Sequence, residues 1–171
     1  WSAIEIGGGT GLLARALADD LGRVDVTDVA SGMVEAAAAV LADPRYPGWR
    51  AVRYDIEHDP LPAERYDLVL SQLALHHMGD VAAVIGTVFA LLAPGGWVAL
   101  ADLDADPDGA FHSHVENFTG HHGIHRGNVE IWLETAGFVD VRLTTAGEVR
   151  KPVDGVERTF PIFLATGRRP V

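Results

Sequence analysis

The stretch Ala3-Ile4-Glu5-Ile6-Gly7-Gly8-Gly9-Thr10-Gly11 decides how this chain is read. An apolar run carrying one acid ends in four glycines. A leucine-rich segment follows, with Leu13, Leu17 and Leu21 at i, i+4 and i+8, the spacing of one helix face. Strand, glycine turn, helix is the unit that brings bare backbone up to a ligand at the carboxyl end of a strand. Thr10 is the expected cap of this helix, which should run to about Leu21 and end at Gly22.

The same unit recurs along the chain. After the first strand, Ala3–Ile6, strands are expected at Arg23–Thr27, Trp49–Tyr54, Tyr66–Leu70 and Trp97–Leu103. A second helix should start at Ser31 and run through Ala42, and a third should be capped by Asp80 and stopped by Pro94-Gly95-Gly96. A last helix is expected near Asn128–Ala136 with Gly137 as its C-cap, then two strands near Phe138–Thr145 and Arg158–Thr166, joined around Pro152-Val153-Asp154-Gly155. Alternating strands and helices give an α/β fold, a Rossmann-like three-layer sandwich. Its sheet should be mostly parallel and seven-stranded, with one antiparallel strand near the C-terminus if the closing pair forms a hairpin. Ligands in such sheets bind beyond the carboxyl ends of the strands.

Length and composition set the class. A chain of 171 residues reads as one domain spanning 1–171, with the irregular stretch 104–126 as a loop or lid within it. Hydrophobic residues make up 48%, enough for a real core, and no apolar run reaches the roughly 18 residues of a membrane span. The formal net charge of −11 and the lack of any dense Lys/Arg run disfavour a polynucleotide as main substrate. The absence of cysteine removes disulfides and thiolate metal sites and suits a cytoplasmic protein. The chain starts at Trp1, almost directly on a strand, so an N-terminal segment able to cover the ligand is expected to be missing.

The glycine spacing Gly7-x-Gly9-x-Gly11 narrows the ligand. The dinucleotide fingerprint wants its third glycine where Leu12 stands, and the phosphate-cradling Gly-Lys-Ser/Thr ending is absent. Glu5, just before the turn, would repel a pyrophosphate but favour an ammonium group. Asp28 closes the second strand, where a carboxylate accepts hydrogen bonds from both ribose hydroxyls; that device fits several adenosine cofactors. The plainer alternatives are three glycines that make a tight turn and a solvated surface acid, a description that suits neighbouring Asp25.

The motifs EIGGGTG (5–11), DVASGM (28–33), YDIEHDPLP (54–62), YDLVLSQLALHH (66–77), LLAPGGWVALAD (91–102) and ETAGFVDV (134–141) occur in order. Together they resemble the class I S-adenosylmethionine-dependent methyltransferases, of the small bacterial kind related to quinone-biosynthesis methyltransferases, over nearly the whole chain. The resemblance implies S-adenosyl-L-methionine as cofactor, S-adenosyl-L-homocysteine as product, and methyl transfer to a small-molecule acceptor through an oxygen, carbon or nitrogen nucleophile. It implies that Glu5 and Gly7, Gly8, Gly9 and Gly11 hold the methionine portion. Asp28 takes the ribose hydroxyls, and Val29 and Met33 lie near the adenine. Asp55 accepts from the adenine amino group beside the Ile56 backbone, and Ser71 and Gln72, just past the fourth strand, line the methionine end. Gly8 stands where relatives commonly have Cys or Ala.

Methyl transfer is an in-line displacement, and alignment alone supplies much of the rate. A base is required only when the acceptor must lose a proton. The Asn/Asp-Pro-Pro-aromatic signature of nucleobase amine methylation is absent near Ser71–Ala74. His76, Asp102 and Arg126 are candidate acceptor contacts, and His112 and His114 are candidate catalytic residues because their segment should lie over the methyl group. The plainer alternatives are a scaffold or cofactor-side role for His76 and His77, a hydrogen bond to a neighbouring loop for Asp102, a cap on its own loop for Arg126, and a polar pocket wall or lid for the loop histidines. Asp102 and Asp104 alternate along the fifth strand and should point the same way. His112-x-His114 with a third ligand would hold a metal, but the pair lacks the i, i+4 spacing of a preformed helical zinc site, so no metal is expected. Two other classes compete with the enzyme: a cofactor-binding module without catalysis, and a nicotinamide-dependent oxidoreductase, against which Leu12 argues.

Overall fold

A computed structural model describes residues 1–171. Its seven-stranded sheet runs in the order β3-β2-β1-β4-β5-β7-β6. The strands are β1 Ser2–Ile6, β2 Arg23–Asp28, β3 Arg50–Arg53, β4 Tyr66–Gln72, β5 Leu92–Leu103, β6 Val139–Val153 and β7 Val156–Arg168. Neighbours from β3 to β5 pair in parallel, and β7 runs antiparallel to both β5 and β6, making it the single reversed strand. The helices are α1 Leu12–Ala16, α2 Ser31–Leu41, α3 Val81–Leu91 and α4 Arg126–Ala136.

Two-residue alternation sends each central strand into two cores. Ile4 and Ile6 of β1, Val69 of β4, and Val98 and Leu100 of β5 pack with Val84, Ile85 and Val88 of α3 and with Val129 and Leu133 of α4. Ala3, Val24, Val26 and Leu70 face the other way, against Ala14 of α1 and Ala37 and Leu41 of α2. Helices on both faces let the parallel strands be apolar on both sides. No helix is long and apolar enough to cross a membrane.

Several local expectations change. The first helix stops at Ala16, and its N-cap is Gly11 in the left-handed region, with no side-chain cap from Thr10. Ser31 is the first residue of α2 rather than its cap, which is Ala30. Asp80 does cap α3, its carboxylate accepting the Ala83 amide at 2.9 Å. Ser71 and Gln72 lie inside β4 because parallel pairing with Leu100 and Ala101 extends that strand. The closing hairpin is longer than its hydrophobic pattern suggests, since pairing continues through Val153–Val156 around a turn at Asp154-Gly155, both at positive φ. Asp25 is not a solvated acid. It is 2% exposed and held by Arg50 at 2.7 and 2.6 Å and by the Tyr66 hydroxyl at 2.7 Å. Burial raises its pKa, and the Arg50 and Tyr66 hydrogen bonds more than reverse that, leaving it below the usual carboxylate value.

Candidate functional site

The glycine turn sits where β1 hands over to α1. Gly7, Gly9 and Gly11 have φ of +63°, +54° and +74°, a region in which side chains with a Cβ are strained. The turn is pinned by the Gly8 amide on Thr27 O and the Gly11 amide on Gly8 O, both at 2.8 Å. A Cβ on Gly7 would run into the Ala74 side chain, so this turn and the segment after β4 meet only because residue 7 has none. A Cβ on Gly8 would stand 2.8 Å from Glu5 Cδ and 3.0 Å from Val26 Cγ1. In this chain glycine at that position makes room for Glu5.

Asp28 ties the turn to the second strand. One carboxylate oxygen accepts the Gly9 amide at 3.0 Å and the other accepts the Ala30 amide at 2.9 Å. Glu5 lies beneath the turn, 2% exposed, with its carboxylate accepting the Ala14 amide at 3.3 Å. Burial pushes its pKa up to about 7, and the Ala14 amide and the charge of Arg15 offset only part of that.

A cleft of about 300 Å³ opens above the turn, at the carboxyl ends of β1, β2 and β4. Ile6 and Gly7 line it from β1 and the turn, Asp28 and Val29 from the end of β2, and Tyr54, Asp55, Ile56 and Glu57 from the loop after β3. Leu73, Ala74, His77 and Met78 close it from the segment after β4. Thus Gly7, Asp28, Val29, Asp55 and Ile56 share one cavity. Glu5, Gly8, Gly9 and Gly11 shape it from the turn without lining it, and Met33 is exposed outside it. Ser71 is buried, its hydroxyl donating to Ile6 O at 3.0 Å, and Gln72 is exposed.

The loop after β3 is a scaffold in its own right. Asp55 accepts the Glu57 amide at 3.0 Å and pairs with His58 Nδ1 at 3.0 Å. Burial works to raise the Asp55 pKa, and the His58 and amide hydrogen bonds outweigh it, so the carboxyl stays ionised below its usual value. Glu57 reaches across to accept the amides of Gly79 and Asp80 at 2.8 and 3.2 Å, fixing this loop to the start of α3. The Tyr54 hydroxyl is buried with no hydrogen-bond partner.

The histidines gather on the β4–β5 side. Leu75–His77 form a single 3-10 turn. His76 is 3% exposed and its Nδ1 lies 2.5 Å from Asp102 Oδ1, while its amide donates to Asp102 Oδ2 at 3.2 Å. The irregular segment folds back over this turn, with the His121 amide on His76 O at 2.6 Å and a parallel bridge between Asp104 and Ile124. That path buries His112, whose ring stacks on Phe118 at 3.8 Å and lies 5.1 Å from the ring of His76. Burial, then the neighbouring His76 and His77, lower the His112 pKa to about 4.

The other candidates separate. His114 is exposed and meets Lys151 Nζ at 3.1 Å, away from the cluster. Arg126 holds Asp104 with two hydrogen bonds of 2.6 Å and donates to Thr145 Oγ1 at 3.0 Å. Asp102 and Asp104 therefore do not act together, because the strand ends at Leu103 and each has its own partner.

Sequence reasoning missed Ile6, Tyr54, Glu57, Leu73, Ala74 and Met78 as cleft residues. Tyr54 and Glu57 flank Asp55-Ile56 and were within reach of a strand-end argument. Leu73 carries no sequence signal, yet it stands at φ +54°, an uncommon state for leucine, and its amide donates to Ala101 O at 2.8 Å.

Comparison with known proteins identifies the domain. Residues 4–98 match a family model described as "Methyltransferase domain". The chain is 43% identical over 102 residues to the biotin biosynthesis bifunctional protein BioCD of Bordetella avium, covering 58% of this chain and 21% of that protein. It is 36% identical over 117 residues to the lovastatin diketide synthase lovF of Aspergillus terreus, covering 60% of this chain and 5% of that synthase. It thus spans about a fifth or less of these relatives. Among solved structures it resembles Haemonchus contortus phosphoethanolamine N-methyltransferase 2 in complex with S-adenosyl-L-methionine, with a TM-score of 0.79 at 14% identity, over 99% of this chain and 49% of that one. That likeness is one of fold.

Proposed function

The chain belongs to the S-adenosylmethionine-dependent methyltransferase domain family, and from that premise we propose that it transfers the methyl group of S-adenosyl-L-methionine to a small-molecule acceptor. When bound, the cofactor supplies an electrophilic methyl on a sulfonium and leaves as S-adenosyl-L-homocysteine. The observation that carries the reading is the cleft itself. Its lining offers a carboxylate for a diol (Asp28), a second acceptor (Asp55), and apolar side chains for a flat ring (Val29, Ile56, Leu73, Met78).

In this reading Asp28 accepts the ribose hydroxyls while its bonds to the Gly9 and Ala30 amides hold it in place. Asp55 and the Ile56 backbone meet the adenine, with Val29 beside it. The glycine turn carries the methionine portion over Glu5, whose carboxylate is stabilised by a nearby ammonium group. The domain acts as one unit, with 104–126 as the segment that closes the acceptor side. The histidine wall at His76, His77 and His112 faces that acceptor, and Asp102 orients His76. His114 and Arg126, bound to Lys151 and Asp104, have structural partners of their own. The names of the relatives, in biotin and polyketide biosynthesis, favour a small organic acceptor over a nucleic acid, and we place the reaction in the cytoplasm.

Thermal unfolding with S-adenosylhomocysteine and, separately, with NADH tests the cofactor. At about 100 times its dissociation constant the first should add roughly 2.7 kcal/mol of stability. Asp28→Ala, checked to be folded, should abolish that gain. A shift with NADH alone would overturn the reading. Transfer of labelled methyl to any acceptor separates an enzyme from a binding module.

A further inference from the structure

We infer that His76, His77 and His112 form a binding site for a first-row divalent transition-metal ion, with Asp102 as its outer-shell carboxylate. One potential ligand nitrogen from each of the three histidines lies within 4.8 Å of the other two. A tetrahedral zinc ion with Zn–N bonds of about 2.0–2.1 Å needs those nitrogens about 3.4 Å apart. The 4.8 Å limit is wider than that spacing, so the three rings have to draw inward on an ion.

Four features point the same way. His76 Nδ1 is committed to Asp102 at 2.5 Å, which leaves Nε2 free and fixes the ring, the arrangement that metal-binding histidines share. Asp102 is itself fixed, accepting the Leu103 amide at 2.7 Å and the His76 amide at 3.2 Å. His112 is buried with its Nδ1 lacking any hydrogen-bond partner, an orphan that costs stability unless something occupies it. His77 is exposed, which gives an ion a way in. Imidazole donors select zinc, copper, nickel, cobalt or iron over magnesium and calcium. A net charge of −11 favours collecting a cation.

Three protein ligands leave a fourth position open, the pattern of catalytic rather than structural zinc sites. His77 belongs to both the histidine cluster and the cleft, so the ion site adjoins the cleft. An oxygen of the acceptor would bind there, give up its proton to solvent more easily, and form its bond to the methyl carbon as the carbon–sulfur bond of the sulfonium breaks, leaving S-adenosyl-L-homocysteine. That consequence rests on the methyltransferase reading; the ion site does not.

The test uses tag-free chain stripped with chelator. Zn²⁺ alone is titrated calorimetrically, and Co²⁺ alone is followed by its visible ligand-field bands. One ion per chain is expected, with an absorption spectrum of low coordination number. His112→Gln should remove the stoichiometric binding and the spectrum. His114→Ala should leave both unchanged. Asp102→Asn should weaken binding about 10–100-fold, the usual cost of losing an outer-shell partner. Each variant is also titrated with S-adenosylhomocysteine, so that loss of folding is seen separately. Absence of stoichiometric binding by folded chain, or binding unaltered in His112→Gln, overturns the inference. Failure of S-adenosylhomocysteine to bind the parent chain would instead overturn the methyltransferase reading.

Discussion

The two sides of the cleft are built by different means. The cofactor side is made of backbone: a glycine turn between β1 and α1, a carboxylate at the end of β2, a short loop after β3. Its hydrogen bonds join residues that strand pairing already brings together, as Asp28 joins the Gly9 amide. The histidine side is made of side chains: His76 and His77 on the 3-10 turn Leu75–His77, Asp102 at the end of β5, which pairs with the strand before that turn, and His112 on the irregular segment, which lies outside the sheet. One side is fixed by steric need for bare backbone, the other by burial and ring contacts. The first should fail through shape, the second through chemistry, with little cross-talk.

The largest expected effect probes what lies under the turn. Glu5 has a pKa raised to about 7 in the folded chain against 4.5 for the ordinary group, so folded protein holds a proton that unfolded protein has released. Stability of the ligand-free protein should therefore fall as pH rises from about 4.5 through 7, by about 3 kcal/mol. Glu5→Gln should remove this slope, and S-adenosylhomocysteine, by bringing an ammonium group near the acid, should flatten it in the parent chain. Urea denaturation across that pH range reads both. An unchanged slope in the variant would show that the acid is not the buried charge.

Next comes the shape of the turn. Gly7→Val combines positive φ with a clash against Ala74 and should weaken S-adenosylhomocysteine about 100-fold, or about 2.7 kcal/mol, by calorimetry. Binding retained within tenfold would mean that the turn does not set the cleft. On the other side, Phe118→Ala removes the ring stacked 3.8 Å from His112. It should lower methyl transfer about tenfold, some 1.4 kcal/mol, and leave cofactor affinity within about twofold. Equal losses in both would erase the distinction between the two sides.

The smallest effect concerns Arg126. Arg126→Lys loses the paired contact to Asp104 and should cost about 1 kcal/mol or less in a thermal melt, because the pair is partly exposed. A specific rise in KM for the acceptor with unchanged stability would instead make Arg126 an acceptor-binding residue.

Much of this molecule can be read from local pattern. The alternation of Ile4 and Ile6 with Ala3 and Glu5, the helical spacing of Val81, Val84, Ile85 and Val88, and Gly137 as a left-handed C-cap all report geometry set within a few residues. So did Asp28 at its strand end. Thr10 failed as a cap because the turn needs Gly11 at the helix start, where a left-handed backbone outweighs a hydroxyl. Asp25 failed as a surface acid because Arg50 and Tyr66, distant in sequence, arrive beside it through the neighbouring strand and the sheet face.

The sequence by itself determined the alternating fold, the reversal at its C-terminal edge and the glycine turn, since side-chain period and backbone sterics act over short spans. It also determined the acidic balance of the chain. Only the tertiary structure decided that Glu5 lies under the turn, that Leu73 and Tyr54 wall the cleft, and that His112 joins His76 and His77 while His114 turns to Lys151. Those placements depend on the path of an irregular segment pinned at His76 O and Asp104, and no residue period encodes such a path.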